Sequence, residues 1–81
     1  MKILMVYGRN SYTTGVYIED ALRLEKDVQL LTAGVNAVNM PTPQEFVLPQ
    51  LLSQIEPPHL IFVMQGHIPM LIHGIEKSSI P

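Results

Sequence analysis

Between Lys2 and Leu24 the chain changes from one hydrophobic period to another. Ile3-Leu4-Met5-Val6-Tyr7 is an unbroken run of large, mainly apolar side chains, too short for a solitary helix and closed by Gly8. Such a run, bounded by a turn signal, reads as a strand buried on both faces. Arg9 to Gly15 is a polar loop of hydroxyls and turn formers. From Val16 the spacing becomes helical. Ile18, Ala21 and Leu22 share one face, Tyr17 and Leu24 lie at its margins, and Glu19, Asp20 and Arg23 fall on the other side. Strand, loop and helix form the first half of a βαβ unit. Its loop sits at the carboxyl end of the strand, where open α/β sheets bind ligands.

The pattern continues. Val28 to Thr32 reads as a second strand, broken by Ala33-Gly34, and Val35 to Met40 has no period and fits either a loop or a brief extended piece. Thr42-Pro43-Gln44-Glu45 has the form of a capping box with proline at the first helical position. It predicts a helix whose apolar face is Phe46, Val47, Leu51, Leu52 and Ile55. Pro49 then demands either a kink near Glu45–Phe46 or a fresh helix from Pro49. Pro57-Pro58 ends that helix. His59 to Met64 is the third strand, again without alternation, and Gln65-Gly66-His67 is the loop at its carboxyl end. Pro69 to Ile72 predicts a short helix, weakened by Gly74.

Strands alternating with helices imply a parallel sheet with right-handed crossovers. We expect a three-layer Rossmann-like or flavodoxin-like α/β fold with strand order 2-1-3. The first and third loops then stand side by side at the reversal of strand order. A strand as apolar as the third should not be a sheet edge, and Ile80-Pro81 reads as the approach to a fourth strand. The expectation is that residues 1–81 are the N-terminal portion of one Rossmann-like domain, truncated before that strand. The alternative is a complete small protein that covers the edge by self-association.

Composition narrows the function. At 81 residues and 47% hydrophobic content the chain supports one domain and is not of disordered type. Net charge is −2 and the five basic residues are scattered, which argues against nucleic acid as a partner. Without cysteine there is neither a disulfide framework nor a thiolate metal site, in keeping with a cytoplasmic setting. No run reaches the roughly 18 apolar residues of a membrane span, and the short apolar run after Lys2 is no signal peptide.

Gly8 and Gly15 stand seven apart with no lysine following Gly15, which excludes a P-loop, and the dinucleotide fingerprint is absent. No acidic residue ends the second strand for a ribose. A phosphate cradle survives in weaker form: the hydroxyls of Ser11, Thr13 and Thr14 beside a helix start at Gly15, set against an ordinary loop with Thr14 as helix cap. His67 sits at the mouth as a base or acceptor contact, set against a solvated loop histidine or helix cap. His59 lies at the opposite end of its strand and has no site role. His73 stands six residues from His67, and no nearby carboxylate or cysteine is expected to complete a metal site. Arg9 can pair an anion at the mouth or be a solvated turn residue. Met5, Met64 and Met70 read as core filling.

Two resemblances follow from these residues. Tyr7-Gly8 with Thr13-Thr14-Gly15 resembles the opening of flavodoxins, whose hydroxyl-rich loop holds the flavin phosphate, although Tyr17 replaces the expected hydroxyl. Met1 to Val6, Gly15-Val16-Tyr17 through Leu22, Pro58 to Val63, Gly66 to Pro69 and Gly74 to Pro81 together resemble GT-B glycosyltransferases, particularly the CgeB-like spore-maturation group. His59 stands where that family usually has Asp. This second resemblance implies the acceptor-side half of an enzyme using a nucleotide sugar, inactive without the half that carries donor contacts, and without a resident cofactor. The residues expected to contact acceptor or phosphate are Gly8, Arg9, Asn10, Thr14, Gly15, Gln65, Gly66 and His67; none is assigned a catalytic role. An FMN-binding domain and an interaction module that completes its sheet with a partner, through the bare third strand, are the other two readings.

Overall fold

A computed structural model describes residues 1–9, 14–64 and 70–75. In chain order its elements are β1 (Lys2–Val6), α1 (Thr14–Arg23), β2 (Gln29–Gly34), β3 (Met40–Pro41), β4 (Glu45–Val47), α2 (Leu48–Leu52), β5 (Leu60–Val63) and β6 (Leu71–His73). The fold is mixed α/β. A four-stranded parallel sheet has the order β3-β2-β1-β5, and β4 and β6 form a separate parallel pair. The expected order 2-1-3 describes the inner run of this sheet, in which β1 lies between β2 and β5; β3 extends it beyond β2.

The unbroken apolar run of β1 is explained by its central place. Ile3 to Tyr7 are all buried, because β1 has a neighbour on each side and is covered on each face. Alternation and register put Ile3, Met5 and Tyr7 with Leu30 and Thr32 on the face that α1 covers. Leu4 and Leu31, on the opposite face, line a cleft with Ile55 and Pro58. The amino end of β1 is held by a reciprocal pair: Lys2 N–H donates to His59 Nδ1 at 2.9 Å, and His59 N–H donates to the Lys2 carbonyl at 2.8 Å.

Several expectations are corrected. The long helix from Thr42 does not form. Thr42 Oγ1 donates to the Pro43 carbonyl at 2.9 Å instead of capping a helix, and Glu45-Phe46-Val47 is extended and pairs with Leu71-Ile72-His73. The helix is confined to Leu48–Leu52, with Pro49 in its first turn and an extended Val47 before it. Pro49 cannot sit inside a helix, so it sets the start of one. Of the short helix expected over Pro69 to Ile72, Pro69 lies outside the described residues, and Leu71 and Ile72 belong to β6 instead. Gly74, with φ of +84°, ends that strand, and a Cβ there would lie 2.6 Å from Cδ of Pro49.

The third predicted strand, β5, is not buried on both faces. Phe62 and Val63 are 39% and 37% exposed, and among the described residues β5 pairs with β1 alone. The inner face of α1 is also rotated from the expected one. Gly15 and Glu19 are buried, while Ala21 is exposed.

Gly34 is the tightest point of the fold. Its φ is +131°, and a Cβ there would overlap the Tyr7 carbonyl oxygen and come 3.0 Å from Met70 Sδ. Gly34→Ala is therefore expected to destabilise the protein by at least about 2 kcal/mol through backbone strain and overpacking, read as a lower urea midpoint.

Candidate functional site

The region at the carboxyl end of β1 is built from close backbone fits. Tyr7 N–H extends the ladder to the Ala33 carbonyl at 3.0 Å, and Arg9 N–H donates to the Val35 carbonyl at 2.8 Å. Asn36, at φ of +62°, donates from Nδ2 to the Arg9 carbonyl at 3.4 Å; asparagine tolerates this left-handed geometry better than most residues. The backbone of Arg9 is thus fixed at both its N–H and its carbonyl.

Thr14 opens α1 and is exposed, while Gly15 lies on the Tyr7 ring. A Cβ on Gly15 would sit 2.6 Å from both Cδ2 and Cε2 of that ring. The missing side chain lets the helix approach the sheet closely, and one turn later this brings Glu19 onto the Tyr7 hydroxyl. Tyr7 Oη donates to Glu19 Oε1 at 2.5 Å. Four residues further along, Arg23 Nε donates to Glu19 Oε2 at 3.1 Å. Arg23 also donates from Nη1 to the Leu30 carbonyl at 3.4 Å and from Nη2 to Asn39 Oδ1 at 2.9 Å. Asn39 Oδ1 further accepts from Thr32 N–H at 3.0 Å and Thr32 Oγ1 at 3.2 Å. All three guanidinium nitrogens of Arg23 therefore have acceptors.

Arg9 is placed differently. Its Nε stands 3.5 Å from Glu19 Oε1, the oxygen already bonded to Tyr7, and it is buried without a hydrogen-bond partner. Leaving such a donor unsatisfied costs about 1–3 kcal/mol. Two guanidinium groups share one carboxylate, so the cluster carries one excess positive charge.

Glu19 is 2% exposed. Burial opposes its ionisation, but the Tyr7 hydroxyl, the Arg23 bond and charge, and Arg9 outweigh burial and hold its pKa below the ordinary carboxylate value. Burial and the neighbouring Glu19 carboxylate push the Tyr7 phenol well above its ordinary value, against the pull of Arg9. The Tyr7 hydroxyl is consequently a fixed donor at neutral pH.

β1 and β5 run parallel, with Val6 opposite Val63 and Met64 N–H donating to the Val6 carbonyl at 2.9 Å. Their carboxyl ends meet at one rim. Of the residues expected to form a site there, Gly8 is buried, Arg9 is 33% exposed and joins the Glu19 cluster, and Thr14 and Gly15 start α1. Asn10, Gln65, Gly66 and His67 lie outside the described residues. Among the described residues no group of three His, Cys, Asp or Glu side chains could hold a metal ion, and no helix is long and apolar enough to cross a membrane. Contrary to the expectation that no carboxylate lies near His73, its Nε2 is 2.7 Å from Glu45 Oε1, an exposed pair that the β4–β6 pairing brings together across 28 residues. Compared with known protein families, curated proteins and solved structures, the chain matches none.

The cluster of Tyr7, Glu19, Arg23, Thr32 and Asn39 was missed in the sequence. One signal was present. Glu19 and Arg23 stand at i,i+4, and Glu19 lies four residues after the glycine that faces the strand end, so both fall on the face presented to Tyr7.

Glu19 links this cluster to pH. Its folded pKa lies below the unfolded value of about 4.5, so its contribution is fully present above that pH and is lost as pH falls through the folded pKa. Glu19→Gln is expected to cost about 2–4 kcal/mol at neutral pH. The gap from the parent should narrow below pH 4.5, measured by urea unfolding across that range. A gap that stays constant with pH would mean that the carboxylate charge plays no part.

Proposed function

We propose that the chain is a Rossmann-like, three-layer ligand-binding unit of the kind that forms the acceptor-side half of GT-B glycosyltransferases, and that it holds a sugar acceptor at the rim shared by β1 and β5. The observation that carries this reading is the parallel pairing of β1, at the point where strand order reverses, with β2 on one side and β5 on the other. In open α/β sheets that crevice is the usual ligand position. Gly8 and Gly15 keep side chains out of the rim close to the sheet, and Arg9 and Thr14 supply polar groups at it. Donor contacts and group transfer belong to the other half of such enzymes, so the chain by itself binds without transferring.

The test is a nuclear magnetic resonance titration of the labelled chain with a panel of mono- and disaccharides, with UDP-glucose and flavin mononucleotide as comparison ligands. The expected result is saturable shifts at the Gly8, Arg9, Thr14 and Gly15 amides with a saccharide and none with UDP-glucose. Silence toward every saccharide ends the acceptor reading. Saturation with the flavin alone transfers the rim to the flavodoxin-like alternative.

One observation favours a second reading, an interaction module. The outer edge of β5 is free of charge and proline, and Phe62 and Val63 beside it are half-exposed. Edges of this kind pair with other strands unless they are blocked. Light scattering after gel filtration should then show a concentration-dependent dimer that Phe62→Lys returns to monomer. A parent chain that stays monomeric at all concentrations removes self-pairing through β5.

A further inference from the structure

The two faces of the main sheet are covered unequally. α1 lies over one. On the other, the register sets Lys2 and Leu4 of β1 beside Gln29 and Leu31 of β2. Here the covering layer stops short. α2 has five residues, about 7.5 Å of helix, and Pro57-Pro58 bar a helix from continuing toward β5. Ile55 and the buried Pro58 instead wall a cleft over Leu4 and Leu31. Leu31 is left 36% exposed. The cleft has a volume of about 410 Å³, within the roughly 300–1,000 Å³ of small-molecule sites. It lies toward the amino ends of β1 and β2, the opposite end of the sheet from the rim, so it stands or falls independently of the saccharide reading.

The lining is graded. Leu4, Leu31, Ile55 and Pro58 are apolar, and the polar members are Lys2, Gln29 and Glu56. The Lys2 ammonium and the Glu56 carboxylate pair with each other, so the polar end carries no net charge. A charged head group would have to part that pair or rest unpaired beside an apolar wall. Gln29 is exposed at this end and its amide can both donate and accept. A second copy of the chain would need a broad contact, on the order of 800 Å² per partner, whereas a concavity of this volume takes a compact molecule.

We infer that this cleft binds a small uncharged molecule with an apolar body and one hydroxyl or amide head. The body lies among Leu4, Leu31, Ile55 and Pro58, and the head meets Gln29.

The experiment is a titration of the full chain, labelled at its Ile and Leu methyl groups, with benzyl alcohol, benzoate and benzylammonium in turn. Saturable shifts are expected at Leu4, Leu31 and Ile55 with the alcohol, and binding at least about fivefold weaker with either ion. Leu31→Trp, which fills the cleft from a half-exposed position, should weaken the alcohol by roughly tenfold or more. Leu71→Ser, at an exposed position outside the cleft, should leave it unchanged. Glu56→Gln frees the Lys2 ammonium and should reverse the order of alcohol and benzoate. No saturation with the alcohol overturns the inference, as do ions that bind equally well or an order that Glu56→Gln leaves intact. Shifts of the same methyls with protein concentration alone assign the cleft to a second copy and also overturn it. If Leu31→Trp does not fold, nuclear Overhauser contacts between the alcohol and the parent's Leu31 and Ile55 methyls decide: their presence supports the site, and their absence overturns it.

Discussion

The rest of the fold depends on a buried carboxylate that has been made acceptable to the interior. An ionised side chain in the core is tolerated only when charge and hydrogen bonds replace lost water. Around Glu19 these are supplied by a phenol from the central strand, by a guanidinium one turn away on the same helix and by a second guanidinium from the loop after that strand. Each requirement fixes a piece of backbone. The phenol can reach only because Gly15 lets α1 rest on the Tyr7 ring. Arg23 can be held only because Asn39 meets it from the far side of β2, and in doing so Asn39 also caps the Thr32 N–H ahead of the pairing of β2 with β3. The rotation of α1, the seating of Tyr7 and the position of β3 are thus parts of one electrostatic solution.

This explains how the sequence could be read correctly for the sheet and wrongly for the helix face. β1, β2 and β5 were legible because apolar runs of strand length bounded by turn signals have few other readings. For α1, the spacing of apolar residues alone places every charge outward. Glu19 breaks it, since burial of a carboxylate is decided by partners from distant parts of the chain. The second helix failed for another reason. Thr42-Pro43-Gln44-Glu45 is a sound local start signal, but Phe46 and Val47 gain more by pairing with Ile72 and His73 than by helical turns interrupted at Pro49. Tertiary pairing overrides local propensity in such a contest. Of the candidate site, the glycines and Arg9 were legible from their place at a strand end; the cluster that orients Arg9 was not.

The small β4–β6 pair shows how a short chain recruits satellites to its core. Phe46, Leu48, Leu51 and Met70 are buried and join the cluster centred on β1. Few residues are available, so packing is tight wherever the pieces meet. Gly34 accommodates the Tyr7 carbonyl and the Met70 thioether, and Gly74 accommodates Pro49. These glycines mark close approach as much as turns, and each lies where a satellite meets the main body or α2. At both positions a side chain would have to displace backbone or a packed ring, so neither glycine can be replaced without strain.

A buried nitrogen without an acceptor costs stability, and an arginine after a strand end could place its whole head group in water. Arg9 does not. Its Nε is drawn inward to 3.5 Å from Glu19 Oε1, the oxygen that also takes the Tyr7 hydroxyl, while part of the side chain still faces solvent. A purely structural arginine would be satisfied as Arg23 is, by Glu19, a backbone carbonyl and Asn39. Two arginines thus meet one carboxylate in different ways: every guanidinium nitrogen of Arg23 has an acceptor, whereas Arg9 Nε approaches Glu19 Oε1 only as an ion pair, at the carboxyl end of β1.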